Sequence, residues 1–330
     1  MTRLRLEHNQ VWVYLAAITL GLLIGICFPM GAAMAAPAIW PALVLLLYAT
    51  FVQIPMLHLR RSFADTRFIS AVLIGNFLCL PLIVWGLVHW LPDNLPLRLG
   101  VLLVLLVPCT DWFISFTHMG RGDTSAAVAI APLSLLVQLA LLPFYLWLMM
   151  DIPADTLVSA AALAPAALLI IVPLLAALAT ERWMQRNPGR EQCRDALAWG
   201  PVPLLALVIL LIAASQVAAV TAAITLLPRV LPVFIAFLIL AALLAKLLAW
   251  LWRLPTGQSR TLAFSLGTRN SFLVLPFALA LPSGWELAAA VIVMQSLVEL
   301  GGMLVYLRWI PGRLFVKSGH QATSEPGHRN

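Results

Sequence analysis

Long apolar runs, interrupted at near-regular intervals by charge, proline or glycine, dominate the chain. They fall near 11–28, 38–57, 68–91, 98–118, 124–150, 157–180, 201–226, 230–252, 260–282 and 285–309. At about 20 helical residues per crossing of a roughly 30 Å apolar slab, this pattern predicts an all-α integral membrane protein with ten transmembrane helices.

The composition agrees. Of 330 residues, 62% are hydrophobic and 10% charged, against roughly 45–50% and about 25% in soluble proteins, which excludes a water-soluble globule. Twenty Lys plus Arg against thirteen Asp plus Glu give a net charge of +7. In a membrane protein such a surplus records orientation rather than nucleic-acid binding. With the N-terminus inside, one face collects Arg3, Arg5, Arg60, Arg61, Arg67, Arg121, Arg182, Arg186, Arg190, Arg194, Arg253, Arg260, Arg308, Arg313, Lys317 and Arg329. The other face receives Arg98 and Arg229, while Lys246 and Arg269 fall inside predicted helices. Both termini are therefore expected in the cytoplasm. Ala33-Met34-Ala35 resembles a signal-peptidase site, but residues 11–28 are long enough to span, so the first helix is kept. Cys27, Cys79, Cys109 and Cys193 show neither disulfide nor zinc spacing.

The acidic link Asp151 to Asp155 divides the predicted helices into five and five. Because five is odd, two such halves enter the membrane from opposite sides, the arithmetic of an inverted repeat. The expected organisation is a cytoplasmic N-terminus over 1–10, a first repeat over 11–150, a second over 157–310 and a disordered cytoplasmic tail over 311–330. The fourth helix of the first half carries Val107-Pro108-Cys109-Thr110-Asp111 at its centre; its counterpart carries Ser265-Leu266-Gly267-Thr268-Arg269-Asn270-Ser271. Pro108 removes a backbone donor and Gly267 is a poor helix former, so both are expected unwinding points. Unwound backbone at that depth needs protein or a water-filled cavity beside it, and paired interruptions point to a midplane site.

At 1.5 Å per residue, Asp111, Arg269 and Glu299 sit roughly 10 to 14 Å from the cytoplasmic ends of their helices. A charge at mid-bilayer costs at least about 3 kcal/mol, so three in one layer suggest mutual pairing or a polar cavity, with Arg269 paired to Asp111 or Glu299. Arg269 is open between a fixed counter-ion and a group that attracts an anion or responds to carboxylate protonation. Glu299 either satisfies Gln295 or Ser296 or carries a proton. Cys109 is open too: a helix N-terminus activates a thiol, whereas burial and Asp111 oppose it. Lys246 is expected to snorkel or pair.

The stretch Cys109-Thr110-Asp111-Trp112-Phe113-Ile114-Ser115-Phe116-Thr117-His118-Met119-Gly120-Arg121-Gly122-Asp123 resembles the fourth-helix segment of the arsenite efflux permeases in the bile acid:sodium symporter superfamily. Thr268-Arg269-Asn270-Ser271 together with Gln295-Ser296-Leu297-Val298-Glu299 forms the second similar segment. The resemblance implies a core domain with broken, crossed fourth and ninth helices, a smaller panel domain, and alternating access. It implies Cys109 as arsenite ligand, Glu299 as ion-coupling residue, proton antiport, and a bacterial-type plasma (inner) membrane. Two residues depart from it: Asp111 and Arg269 stand where those permeases are uncharged. In the sodium-coupled organic-anion branch a glutamate precedes the ninth-helix glycine by two positions, where this chain has Ser265, and Arg269 stands where it would help ligate sodium.

The candidate substrate-binding set is thus Cys109, Thr110, Ser115, Thr268, Asn270 and Ser271, and the candidate ion-coupling set Asp111, Arg269 and Glu299. The expected activity is proton-coupled arsenite efflux, with sodium- or proton-coupled symport of a small organic anion as the alternative. No nucleotide-binding loop is evident, so an ion gradient is the expected energy source, without an ATPase partner, a cofactor or nucleic acid. Gly120-Arg121-Gly122-Asp123 matches the G-x-G-D pattern of intramembrane aspartyl proteases, but no second Asp offers the required context, and Asp123 reads as a helix cap. A purely structural membrane protein would tolerate apolar replacement of Asp111, Arg269 and Glu299.

Overall fold

The computed structural model describes residues 10–54, 65–110, 112–150, 160–186 and 196–316, and these are helical almost throughout. Asp111, Cys193, the Asp151 to Asp155 link and the tail from 317 lie outside the described residues. In chain order the helices are α1 (Gln10–Cys27), α2 (Pro29–Ala35), α3 (Ile39–Phe51), α4 (Thr66–Ile74), α5 (Leu80–Val88), α6 (Leu95–Leu106), α7 (Trp112–Met119), α8 (Thr124–Met149), α9 (Ala160–Gln185), α10 (Pro201–Ser215), α11 (Val217–Leu251), α12 (Thr256–Gly267), α13 (Ser271–Leu279) and α14 (Glu286–Trp309). Among the described residues, six stretches are individually long and apolar enough to cross a membrane: Pro29–Phe51, Thr66–Val88, Thr124–Met149, Leu168–Gln185, Pro228–Leu251 and Glu286–Leu314. Trp12–Cys27, Leu95–Leu106 and Pro201–Ser215 are apolar but shorter.

Helix starts follow local chemistry. Asp65, Asn94 and Asp123 cap α4, α6 and α8, each side-chain oxygen accepting the main-chain N–H three residues on. One expected boundary is corrected. The helix expected to end at 226 and restart at 230 is continuous as α11 through Pro228 and Pro232. The chain instead turns at Gln216, with φ −124 and ψ 45, just after Ser215 turns its hydroxyl back onto the Leu211 carbonyl at 2.7 Å. The helix expected over 68–91 is α4 and α5 joined by a π-helical turn, Gly75–Cys79.

The helices sort into two packed groups. In one, α10 packs along α1 and α3, and α3 along α9. α1 approaches closely through Gly21 and Gly25, where an added Cβ would lie 2.5 Å from the Leu210 carbonyl oxygen and 2.3 Å from that of Ala214, a small-residue contact suited to lipid, where packing rather than hydrophobicity joins helices. In the other, α14 packs on α6, α11 and α13, with α12 on α11 and α7, α8 and α4 alongside. The groups meet chiefly through α13, which touches α3 and α9, and α14, which touches α1.

One end of the molecule is tied together by polar contacts. Arg260 donates to the carbonyls of Arg121, Pro311 and Phe315, Thr261 accepts from the Asp123 N–H, and Gln258 donates to Asp65 at 2.7 Å. The described segments around Arg67, Arg121, Arg260 and Arg313 thus share one face, the Arg-rich face. α6 runs toward it and α12 away from it, so the two helices with predicted interruptions pass in opposite directions.

Candidate functional site

Both interruptions are extended backbone. Pro108 disfavours helical geometry at the residue before it, so α6 ends and Val107 takes φ −109 and ψ 107. α12 ends at Gly267, and Thr268 takes φ −101 and ψ 143. The two segments lie antiparallel and pair: Cys109 N–H donates to the Thr268 carbonyl at 3.2 Å, and Asn270 N–H to the Val107 carbonyl at 2.8 Å, with Pro108 opposite Arg269. In this register the main-chain groups of 108 and 269 face away from the pair, so the absent N–H of Pro108 leaves no partner unsatisfied. The N–H of Arg269, also turned outward, donates to Glu299 Oε2 at 3.0 Å.

The unwinding expected at Gly267 falls there: α12 ends at Gly267, without a positive φ. Its role is close approach, since a Cβ there would lie 2.5 Å from Tyr306 Cε2, and Tyr306 is anchored by its hydroxyl donating to the Leu238 carbonyl.

Beside the bridge lies a buried polar cluster. Asn270 caps α13 by accepting from Leu273 N–H at 3.2 Å, while its amide donates to Thr110 Oγ1 at 3.3 Å. Ser271 bonds Gln295 Oε1 at 3.1 Å, and Gln295 donates to Glu299 Oε2 at 2.8 Å. Thr110, Asn270, Ser271, Gln295, Glu299 and Cys109 are all buried, so helices far apart in sequence bring five hydrogen-bonding side chains and a thiol to one crossing.

The guanidinium of Arg269 points elsewhere. It donates to the carbonyls of Leu105, Ser265 and Leu266 and to Asn76 Oδ1, at 3.2, 3.2, 2.7 and 2.8 Å, with its carbon 5.1 Å from the centre of the Phe237 ring. Of the two expected partners of Arg269, Asp111 lies outside the described residues, and among the described residues no ion pair joins the Arg269 and Glu299 side chains; the hydrogen bond between these two residues is made by Arg269's main chain.

Other candidates are placed differently. Ser115 lies on α7, half-buried, without a hydrogen bond to the cluster; Thr268 returns its hydroxyl to the Phe264 carbonyl at 2.8 Å. Lys246 is exposed on α11. Asp111 lies outside the described residues. Trp112, at the start of α7, stacks on Tyr14 of α1 with ring centres 6.1 Å apart and meets Phe272 edge-on at 5.0 Å. Two buried amides are not singled out by the sequence: Asn76, in the π-helical turn, and Gln138 on α8, whose amide nitrogen and oxygen both lack partners among the described residues. Each is a single amide inside an apolar run, and that interruption was its only signal. No group of three metal-ligating side chains occurs among the described residues.

A comparison with family profiles adds the decisive observation: residues 40–224, more than half of the chain, match the profile of the sodium bile acid symporter family. The chain belongs to that family. As a member of the sodium bile acid symporter family it is a multi-pass membrane transporter of a small solute, not an enzyme. The match runs from α3 into α11 and so includes the first interruption. The second, with Arg269 and Glu299, lies beyond it and is tied to it by the bridge. No curated protein matches the chain.

Proposed function

We propose that this symporter-family protein is a secondary active transporter that exports arsenite in exchange for protons entering down their gradient, by alternating access. Its ten crossings would form an inverted repeat of five and five, over 11–150 and 157–310, with α1, α3, α9 and α10 as panel, the second group as core, and the Arg-rich face in the cytoplasm of a bacterial-type plasma membrane. The observation that carries the reading is the bridge between the two interrupted helices, which sets Cys109 and Thr110 against Asn270 and, through Arg269, against Glu299. Trivalent arsenic is thiophilic. Exchange of one hydroxyl of arsenous acid for the Cys109 sulfur, with the thiol proton leaving on the departing hydroxyl as water, gives a bond that reverses readily; three thiolates would hold arsenic too tightly to release. Thr110, Asn270 and Ser271 supply hydrogen bonds for the remaining hydroxyls, and Glu299, joined to the bridge by a main-chain N–H, is the proton carrier.

The half-helices support a state open toward the Arg-rich face. α13, leading away from it, is buried on nearly all sides against α3, α9 and α14, whereas Trp112, Ile114, Ser115 and His118 of α7, leading toward it, retain exposed surface.

The family description names sodium and bile acid and so favours a second reading, symport of an organic anion. Growth of an arsenite-sensitive host expressing the protein, with arsenite uptake by everted vesicles, separates the two. Protection that Cys109→Ser abolishes supports export, and full activity of that variant removes the thiol mechanism. Failure to protect, with sodium-dependent uptake of a labelled organic anion, favours the second reading.

A further inference from the structure

Several carbonyls lose their helical donors at the crossing, those of Leu105, Ser265 and Leu266 among them. In an unbroken helix Leu105 would receive the N–H of residue 109, Ser265 that of 269, and Leu266 that of 270. Here Cys109 N–H goes to Thr268, Arg269 N–H to Glu299 and Asn270 N–H to Val107. The orphaned carbonyls of Leu105, Ser265 and Leu266 are the three that the Arg269 guanidinium takes, at 3.2, 3.2 and 2.7 Å. A fourth oxygen, Asn76 Oδ1, completes the set at 2.8 Å. It is aimed by its own amide, which donates to Ser265 Oγ at 3.1 Å and the Val72 carbonyl at 3.3 Å.

The electrostatics of this place are set by the backbone. α6 and α12 both end here, so two helix C-termini, each equivalent to roughly half a negative charge, converge on one buried point. Carbonyl and carboxamide oxygens without competing donors are the chemistry that replaces the water shell of a hard monovalent cation. Left empty, such a cage would hold several unsatisfied acceptors away from water, each expensive. Both Arg269 and Asn76 are essentially buried.

We propose that this cage is a latent monovalent-cation site, filled in this protein by the tethered guanidinium of Arg269, so that the crossing is stabilised without a sodium ion. Where it bears on coupling, the inference rests on the transport reading above; the cage itself does not. With a cation built in, no sodium ion need bind or leave there during the cycle, and Glu299, bonded to the same residue's main chain, is an ionisable partner of the bridge. Removing the guanidinium opens the cage to a free cation.

The test uses purified full-length protein in detergent, with thermal unfolding followed in sodium, potassium and choline chloride at equal ionic strength. Wild type is expected to melt at the same temperature in all three. Arg269→Ala is expected to melt lower in choline and to recover several degrees in sodium or in low-millimolar guanidinium, because ligand that binds only the folded state raises its stability. Arg269→Lys, which keeps a cation, is expected to stay indifferent to sodium. A sodium-specific rise in wild type overturns the proposal. So does an Arg269→Ala protein, monodisperse on gel filtration, that melts alike in all three salts. If Arg269→Ala does not fold in choline, expression and extraction in sodium replace the melt, and failure to recover folded protein there counts against the cage. None of these readouts involves substrate, so a wrong arsenite assignment leaves them unaffected.

Discussion

The main-chain N–H of Arg269 meets Glu299 Oε2 at 3.0 Å, while the guanidinium of the same residue turns to the carbonyls of Leu105, Ser265 and Leu266. One residue therefore serves two purposes: its side chain closes the ends of α6 and α12, and its backbone connects the bridge to a carboxylate on α14. A proton arriving at Glu299 weakens the acceptor of a backbone bond inside the crossing, which gives the proposed coupling a physical route to the segment that holds Cys109 and Thr110.

Glu299→Gln tests that route. The amide oxygen still accepts from Arg269 N–H, so the fold is expected to persist with a loss of about 1–2 kcal/mol, that of weakening hydrogen bonds to a charged acceptor. Transport is expected to fall at least about tenfold, since a carrier worth about 1.4 kcal/mol or more to the rate-limiting barrier is gone. Proton-driven uptake into everted vesicles, normalised to extracted protein, measures it; wild-type uptake would exclude Glu299 as carrier.

The helical membrane character and the two interruptions were legible because charge or proline stands out in an apolar run: Pro108, Arg269 and Glu299 announce themselves. Asn76 and Gln138 do not, because one amide in a long apolar run reads the same whether it is buried in protein, near an interface or bonded to its own helix. The direction of the Arg269 side chain was hidden for a different reason. Opposite charges at similar depth suggest an ion pair, and the competing partners, carbonyls orphaned by the breaks, become visible only when the two segments are seen hydrogen-bonded to each other. The Pro228-Arg229 pair looked like a helix boundary, yet a proline removes only one donor, and α11 continues through it.

Close packing of α1 on α10 yields a paired prediction. A Cβ at Gly25 would lie 2.3 Å from the Ala214 carbonyl oxygen and 2.4 Å from Val217 Cγ2, whereas one at Gly301 meets nothing within 4 Å. Gly25→Ala is expected to destabilise by about 1–3 kcal/mol. Gly301→Ala, inside α14 and exposed, is expected to be neutral or up to about 1 kcal/mol more stable. Thermal unfolding of the purified variants compares them, and equal melting temperatures would contradict the packing described for α1.

Asp65 predicts a pH dependence on the Arg-rich face. The hydrogen bond from Gln258, then that from Phe68 N–H, holds its carboxyl below the ordinary value. A group whose folded value is depressed contributes stability above the unfolded value, about 4, and that contribution disappears as pH falls through the lower folded value. Asp65→Asn keeps a capping oxygen but does not titrate. The stability gap between wild type and Asp65→Asn, within about 1 kcal/mol for so exposed a group, is expected to close on acidification from about pH 6 to about pH 3. A gap that widens instead would mean that the carboxylate is not stabilised in the fold.

The unequal exposure of α7 and α13 gives the last prediction, and it distinguishes an aqueous opening from a lipid-facing surface. Ser115 on α7 is half-buried and Ser271 on α13 is buried and bonded to Gln295. If α7 borders a water-filled path toward the Arg-rich face, Ser115→Cys in everted vesicles is expected to react with a membrane-impermeant thiol reagent, while Ser271→Cys is protected. A lipid-facing Ser115 would not react, because such reagents label the thiolate and need water around it. Mass spectrometry of the labelled peptide separates the new thiol from the exposed native Cys27. Labelling of Ser115→Cys that substrate or a reversed proton gradient suppresses would tie the opening to the transport cycle; labelling of Ser271→Cys alone, from the opposite face, would mean that the resting state opens the other way.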